Sequence, residues 1–121
     1  MLTVKEKGIM LYVIKHCKRV EEKTCGLTAN EFYADEDVKE IVSFNVLQIG
    51  ELIKTLTPEF LSKYDKMPWK DIKGMRDWVA HGYGTIDLEK IWKTATEDIK
   101  PLREYCEFII KSNSWLLEGL P

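Results

Sequence analysis

The sequence predicts an all-α fold, an up-and-down bundle of four to five helices. Apolar residues recur at three- and four-residue spacings through most of the chain, and no segment of useful length alternates with the period of two typical of a strand. The length of 121 residues, of which 45% are hydrophobic, suits one domain with its own core. We therefore expect a single domain over 1–121, with 113–121 as a frayed C-terminal tail.

The first helix is predicted from about Val4 to Glu22. Charged residues separate an apolar set at the spacings of a one-sided helix, namely Val4, Leu11, Ile14 and Cys17. These residues are expected to form the face that packs on the rest of the bundle.

Capping signals predict where the next two helices begin. Thr28 and Glu31 have the spacing of a capping box, which would open a short helical turn. Asp35 is a natural N-cap for a longer helix from Glu36 to about Leu56, whose broad apolar stripe indicates the centre of the bundle.

Two prolines delimit the following elements. Pro58 suits the first turn of a short helix that ends near Tyr64. Pro68 favours a loop before it, because the residue preceding a proline is pushed out of the helical region. The next helix is expected from Trp69 to about Ala80.

Glycines and a proline mark the remaining boundaries. Gly82 and Gly84 tolerate positive φ and are expected to end the helix before them. Asp87 is the expected cap of a last long helix over residues 88–111. Pro101 predicts a kink or a break within it.

The composition limits the classes of function. A net charge of -2 does not indicate nucleic-acid binding by the whole surface, so any RNA contact must be local. Cys17, Cys25 and Cys106 are odd in number and form no CxxC pair, which argues against a disulfide framework and a thiolate zinc site. No apolar leader or membrane span is found, so we expect a cytoplasmic protein without membrane association. We expect no bound metal and no cofactor.

The segment from Arg76 to Tyr83 is the strongest candidate for chemistry. His81 lies at the predicted end of its helix, and its imidazole can accept or donate a proton near neutral pH. The guanidinium of Arg76 can form two parallel hydrogen bonds with phosphate oxygens. Together these groups suit cleavage of a phosphodiester by the 2′-hydroxyl of the RNA itself, which requires no metal.

A structural interpretation of the same residues stays open. His81 could cap the carbonyl groups at the end of its helix, while Arg76 and Asp77 form a surface ion pair. Residue chemistry alone does not exclude this interpretation.

Helical geometry adds a constraint on the candidate pair. At 100° per residue, Arg76 and His81 lie about 140° apart around a regular helix, whereas Asp77 and His81 share a face. Either the helix loosens before His81, or the Arg and His that meet one phosphate come from different subunits. Asp77 is well placed to orient His81 by accepting its ring N–H.

The motif Arg76-x4-His81-x-Tyr83 resembles the R-x4-H-x-Y motif of HepT-like HEPN ribonuclease toxins. The resemblance extends, in order and at similar spacing, over about residues 28 to 110. The segments that carry it are 45–52, 67–75 and 86–92, followed by Pro101-Leu102.

This resemblance implies a HEPN-like homodimer with metal-independent endoribonuclease activity at the dimer interface. It implies Arg76 and His81 as the catalytic pair, accompanied by Asp77, where many relatives have Asn. It further implies a toxin of a type VII-like toxin-antitoxin system, paired with a minimal nucleotidyltransferase antitoxin that transfers AMP to Tyr83. Phosphates added beside Arg76 would block the site by charge and by bulk.

Two further interpretations follow from the residues around the motif. Lys70 and Lys73 border it and could bind the RNA backbone, although an ordinary solvated face is an equal alternative. The competing function is a non-catalytic helical module that binds a nucleotide or a nucleotidyltransferase without cutting RNA.

Overall fold

Helices form every regular element in the part of the chain that the structure describes. The computed structural model describes the backbone of residues 1–81 and 87–118 and the side chains of residues 1–75 and 87–113. The elements are α1 (Val4–Thr24), α2 (Ala29–Ala34), α3 (Glu36–Lys54), α4 (Pro58–Lys63), α5 (Trp69–His81), α6 (Leu88–Lys93), a π-helical turn (Thr94–Asp98) and α7 (Ile99–Glu118). The predicted all-α class is confirmed.

Side-chain caps start the helices where the sequence predicts. Thr28 accepts a hydrogen bond from the Glu31 amide, and the Glu31 carboxylate accepts one from the Thr28 amide, so the capping box is confirmed. Asp35 caps α3 and Asp87 caps α6 as expected. A second capping box at Thr3 begins α1.

The predicted apolar face of α1 is only half right. Ile14 and Cys17 are buried, but Val4 is 93% exposed and Leu11 is 50% exposed. The face that packs inward follows a 3-4-3 spacing through Met10, Val13, Cys17 and Val20. Leu11 lies 100° away from Met10 on the helix, which places it beside the packed face instead of within it.

Helix α3 packs against both α1 and α5. Helix α7 packs against α1. Helix α7 runs antiparallel to α1. Arg103, near the start of α7, pairs with Glu21 near the end of α1, whereas Asn113 bonds to Tyr64 beside α4. This arrangement confirms an up-and-down bundle.

The last long helix is divided, as Pro101 predicts, but the division lies just before the proline. The Ile99 amide donates to the Thr94 carbonyl five residues earlier, which makes residues 94–98 a π-helical turn. Pro101 has no N–H to donate, and its ring crowds the carbonyl of the fourth residue before it. The wider turn relieves this crowding.

The segment expected to form a C-terminal tail has a helical backbone as far as Glu118. Helix α7 continues to that residue, and positions 119–121 lie outside the described part. Asn113, where the tail was expected to begin, donates to the Ile109 carbonyl at 2.7 Å and to the Tyr64 hydroxyl at 3.1 Å. These bonds fix the helix to α4 at the point where the sequence suggested fraying. No helix among the described residues is long and apolar enough to cross a membrane.

Candidate functional site

Helix α5 carries most of the candidate motif. Its backbone is helical without interruption from Trp69 to His81, one residue beyond the predicted end. Arg76 and Asp77 therefore lie on the same continuous helix as His81. The side chains of these three residues lie outside the described part of the structure, as does the whole of residues 82–86 with Tyr83 and the two expected helix-ending glycines.

The first half of α5 is anchored in the core. Trp69 is buried, its indole N–H donates to the Tyr64 carbonyl at 2.5 Å, and its ring lies 6.3 Å from that of Phe60. Ile72 and Met75 are also buried. This side of α5 packs on α3 and fixes the rotation of the helix about its own axis.

The fixed rotation assigns each motif position to a stripe of α5. Positions 70 and 81 differ by about 20° around the axis, and position 77 lies about 20° from position 70 on its other side. Lys70 on that stripe is exposed. Positions 77 and 81 therefore lie on the side of α5 that faces away from the core. Position 76 lies about 40° from position 72, the buried Ile72, on the core side of the helix.

The continuous helix bears on one of the two geometric alternatives for the catalytic pair. Arg76 and His81 are separated by about 140° around the axis and about 7.5 Å along it. The expectation that the helix loosens before His81 is wrong, because the backbone stays helical through that residue. A contribution from a second subunit stays a prediction.

Two exposed lysines flank the outward stripe of α5. Lys70 and Lys73 are both exposed, and neither has a carboxylate partner among the described residues. Gly74 lies about 40° from Lys70 around the helix, and a Cβ added there would meet no described atom within 4 Å. The described structure therefore gives no packing reason for a glycine in the interior of this helix.

The comparison with protein families identifies the chain. Residues 13–109 match the model described as "Ribonuclease HepT-like", a segment that runs from α1 to α7 and includes the motif. The chain belongs to the HepT-like ribonuclease family. This membership confirms the resemblance, extends it into α1, and makes the protein an endoribonuclease with the all-α, HEPN-like fold described above.

Curated relatives support the same assignment. "Putative RNase TTE0752" of Caldanaerobacter subterraneus subsp. tengcongensis is 30% identical over 83% of this chain and 89% of its own length. "Putative RNase MJ0127" of Methanocaldococcus jannaschii is 31% identical over 83% and 87% of the two chains. "Probable ribonuclease HepT" of Thermococcus cleftensis is 31% identical over 69% and 76%. No solved structure matches the chain.

A polar pair between α1 and α3 is absent from the expectations based on sequence. The ring Nδ1 of His16 lies 2.7 Å from the side-chain oxygen Oδ1 of Asn45. His16 is half-buried and Asn45 is buried. The sequence feature that could have predicted this pair is Asn45, a polar residue among the apolar Val42, Val46 and Ile49 on the packed face of α3.

The orientation of the pair is fixed by a second hydrogen bond. The Asn45 side-chain N–H group donates to the Ile41 carbonyl at 2.7 Å, so the amide oxygen must face His16. Nδ1 of His16 is therefore the donor to Asn45, and Nε2 lies on the opposite edge of the ring. Asn45 holds the imidazole in one tautomer and one orientation, the role a carboxylate or amide plays beside many functional histidines.

Other groups in the described residues do not form a competing site. No cluster of His, Cys, Asp or Glu in this part of the chain could hold a metal ion. Cys17 and Cys106 are buried, and burial raises the pKa of Cys106 to about 12 and that of Cys17 further. Neither thiol is a thiolate nucleophile near neutral pH.

Proposed function

We propose that this ribonuclease is the toxin of a toxin-antitoxin system and cleaves RNA without a metal ion, at a site on the interface of a homodimer. Arg76 and His81 are the catalytic pair, and Asp77 orients the imidazole. The observation that carries this proposal is the register of α5, which separates positions 76 and 81 by about 140° on one uninterrupted helix.

The residue types suit a transesterification by the RNA itself. The imidazole of His81 takes the proton of a 2′-hydroxyl, whose oxygen bonds to the adjacent phosphorus. The bond from phosphorus to the 5′-oxygen breaks, and the imidazole returns the proton to that oxygen. Arg76 binds the non-bridging oxygens, on which negative charge increases in the transition state. The products are a 2′,3′-cyclic phosphate and a 5′-hydroxyl.

A dimer resolves the separation of Arg76 from His81. Two copies that bring their α5 helices together can place Arg76 of one protomer beside His81 of the other. Asp77 shares the stripe of His81 at the i, i+4 spacing, which allows it to accept the ring N–H within the same protomer. Lys70, on that stripe, and the neighbouring Lys73 would bind phosphates of the RNA on the approach to the site.

Regulation by AMP transfer completes the proposal. The partner is a minimal nucleotidyltransferase, which acts in the cytoplasm and transfers AMP to the hydroxyl of Tyr83. The phenolic oxygen attacks the α-phosphorus of ATP, pyrophosphate leaves, and the phenolic proton is released. The added phosphate brings negative charge beside Arg76 and competes with the phosphate of the RNA for the guanidinium.

Mixed dimers test the sharing of the site between subunits. Arg76→Ala and His81→Ala are each expected to abolish cleavage as homodimers. Co-refolded mixtures of the two should regain part of the wild-type activity, because one of the two sites in a mixed dimer is intact. An active pure Arg76→Ala or His81→Ala protein would contradict the catalytic assignment, and mixtures without activity would contradict the sharing.

Intact mass tests the modification. After co-expression with the nucleotidyltransferase, the chain should gain the mass of one or more AMP groups and lose ribonuclease activity. Tyr83→Phe should show neither change, while Tyr12→Phe, a substitution of an exposed tyrosine on α1, should be modified as the wild type is. AMP addition to the Tyr83→Phe protein would refute the assignment of this residue.

A further inference from the structure

A groove with a volume of about 880 Å³ lies between α1 and α3. We call it the α1–α3 groove. The lining residues that matter for its chemistry are Leu11, Lys15, His16, Lys18, Phe44 and Asn45. It combines a half-buried imidazole, exposed cations and an exposed aromatic ring.

The imidazole of His16 faces this groove with one free nitrogen. Nδ1 is engaged with Asn45, whose amide is fixed in turn by the Ile41 carbonyl. Nε2 has no partner among the described residues. In the neutral tautomer that this bond selects, Nε2 carries a lone pair and accepts a hydrogen bond from a hydroxyl or an N–H group.

The walls of the groove supply a flat apolar surface and positive charge. Phe44 is 55% exposed and Leu11 is 50% exposed, although each is a large hydrophobic residue. Lys15 and Lys18 are exposed one turn apart on α1, and neither forms a salt bridge with a described residue.

The groove also contains two glutamates. Glu22 is paired with Arg19 at 3.2 Å, and Glu40 lies one turn before Phe44 on α3. Lys15, Lys18 and Arg19 give the lining three positive charges against these two negative ones, an excess of one positive charge that favours an anionic ligand, while Phe44 offers a face to an aromatic portion.

We propose that the α1–α3 groove binds a nucleotide of single-stranded RNA, as a contact point outside the motif on α5. This inference rests on the proposed function, because it extends the RNA surface of the same enzyme. A base stacks on Phe44, Lys15 and Lys18 bind the flanking phosphates, and Nε2 of His16 accepts a hydrogen bond from the 2′-hydroxyl.

The 2′-hydroxyl distinguishes this ligand from an apolar helix of a partner protein. An apolar helix in the groove would bury Nε2 of His16 without a hydrogen-bond partner, which is unfavourable. It would also bring no negative charge to Lys15 and Lys18. RNA supplies both the hydroxyl donor and the phosphates.

Binding of a labelled RNA to non-cleaving protein tests this proposal. The full-length chain with His81→Ala would be titrated with a fluorescein-labelled twelve-residue oligouridylate and with its 2′-deoxy counterpart, by fluorescence anisotropy. Phe44→Ala should weaken RNA binding about tenfold or more, because a base-aromatic stack is lost. The matched control is Phe108→Ala, which removes a phenylalanine with 56% exposure on α7 and should leave the affinity unchanged.

Selectivity for RNA tests the role of His16. His16→Ala should weaken RNA binding about fivefold, as expected for one lost hydrogen bond, and should bring RNA and DNA to equal affinity. Lys15→Gln should reduce the slope of log affinity against log salt concentration by about one, the value for one lost phosphate contact. The reduction should be the same for RNA and for DNA. Phe44→Ala should leave folding intact, because the Phe44 ring is already exposed to solvent. A loss of RNA affinity in this variant therefore reports on the groove itself.

Three results would overturn the inference. Phe44→Ala could bind RNA as tightly as Phe108→Ala does, or RNA and DNA could bind equally to the protein with His16 intact. Phe44→Ala could also change the sedimentation of the RNA-free protein, which would make the groove an interface between copies of the chain. Failure of the proposed function would give a different result. Protein with the native His81 would then bind RNA through the groove but would not cleave it.

Discussion

The guanidinium of Arg103 on α7 binds the carboxylate of Glu21 on α1 through two hydrogen bonds, 2.6 Å from Nε to Oε2 and 3.2 Å from Nη2 to Oε1. A third bond joins Arg103 to Glu107 one turn further along α7. The side chains of Arg103 and Glu21 are only 20% and 26% exposed. This bidentate pair connects two long helices whose residues are 82 positions apart in the sequence.

Replacing Arg103 should destabilise the protein more than replacing an exposed arginine. Arg103→Met should lower the free energy of unfolding by about 1–3 kcal/mol, because the partly buried carboxylates lose their charged donor. Arg19→Met is the control, since its pair with Glu22 is 45% and 67% exposed, and it should cost less than about 0.5 kcal/mol. Urea denaturation measures both values, and equal losses would contradict the structural role of the pair.

Stability at acid pH should depend on the capping box of α2. Hydrogen bonds from the backbone and side chain of Thr28 lower the pKa of Glu31 in the folded protein. Because the folded pKa lies below the unfolded one, the stabilisation is complete above about pH 5 and is lost as the pH falls through the folded pKa.

Glu31→Gln measures this effect. The difference in free energy of unfolding between wild type and Glu31→Gln should be constant from about pH 5 to 8 and should shrink below about pH 4. Urea denaturation at a series of pH values gives this difference. A difference that is independent of pH would show that ionised Glu31 contributes nothing to the cap.

Only one cysteine should react readily with a thiol reagent in the folded protein. Cys25 is exposed, while Cys17 and Cys106 are buried with raised pKa values, about 12 for Cys106. Ellman's reagent should modify one thiol per chain in buffer and all three in denaturant. Cys25→Ser should react only after unfolding, and fast modification of this variant would contradict the packing of α1 on α7.

Two partly exposed helical glycines offer a matched test of the surface of α5. A Cβ at Gly8 or Gly74 meets no described atom within 4 Å, so Gly→Ala at either position should raise the free energy of unfolding by up to about 1 kcal/mol. Gly74 shares the outward stripe of positions 70, 77 and 81, where the proposed function requires close approach of RNA or a second copy. Gly74→Ala should therefore lower RNA cleavage, whereas Gly8→Ala should not. Full ribonuclease activity of a stabilised Gly74→Ala protein would contradict the close approach of RNA or a second copy to this stripe.

Local signals predicted the boundaries of the helices well, because those boundaries depend on neighbouring residues. Capping at Thr28, Asp35 and Asp87 needs only groups within three positions of each cap. The division before Pro101 likewise follows from a missing N–H and a crowded carbonyl nearby. The contact that holds Asn113 of α7 could not be predicted in this way, because its partner Tyr64 lies 49 positions away in the sequence.

Packing faces and the α1–α3 groove were predicted less well. Leu11 has an apolar side chain at helical spacing but is half exposed, because the neighbours of α1 are set by tertiary contacts. The pairing of His16 with Asn45 joins positions 29 apart and cannot be inferred from either residue alone. For the motif, helical spacing alone placed Asp77 with His81 and separated Arg76 from both, and the uninterrupted α5 confirms that the spacing applies.

RNA cleavage in EDTA tests the central claim most directly. Purified wild-type protein, free of AMP groups, should cut a labelled single-stranded RNA in EDTA and leave 2′,3′-cyclic phosphate ends. His81→Ala should lose this activity while keeping its helical circular dichroism and its cooperative unfolding. Phe108→Ala, a change of an exposed residue outside the proposed RNA contacts, should still cut RNA. Cleavage by His81→Ala at the wild-type rate, or an absolute requirement of the wild type for a divalent metal, would contradict the account.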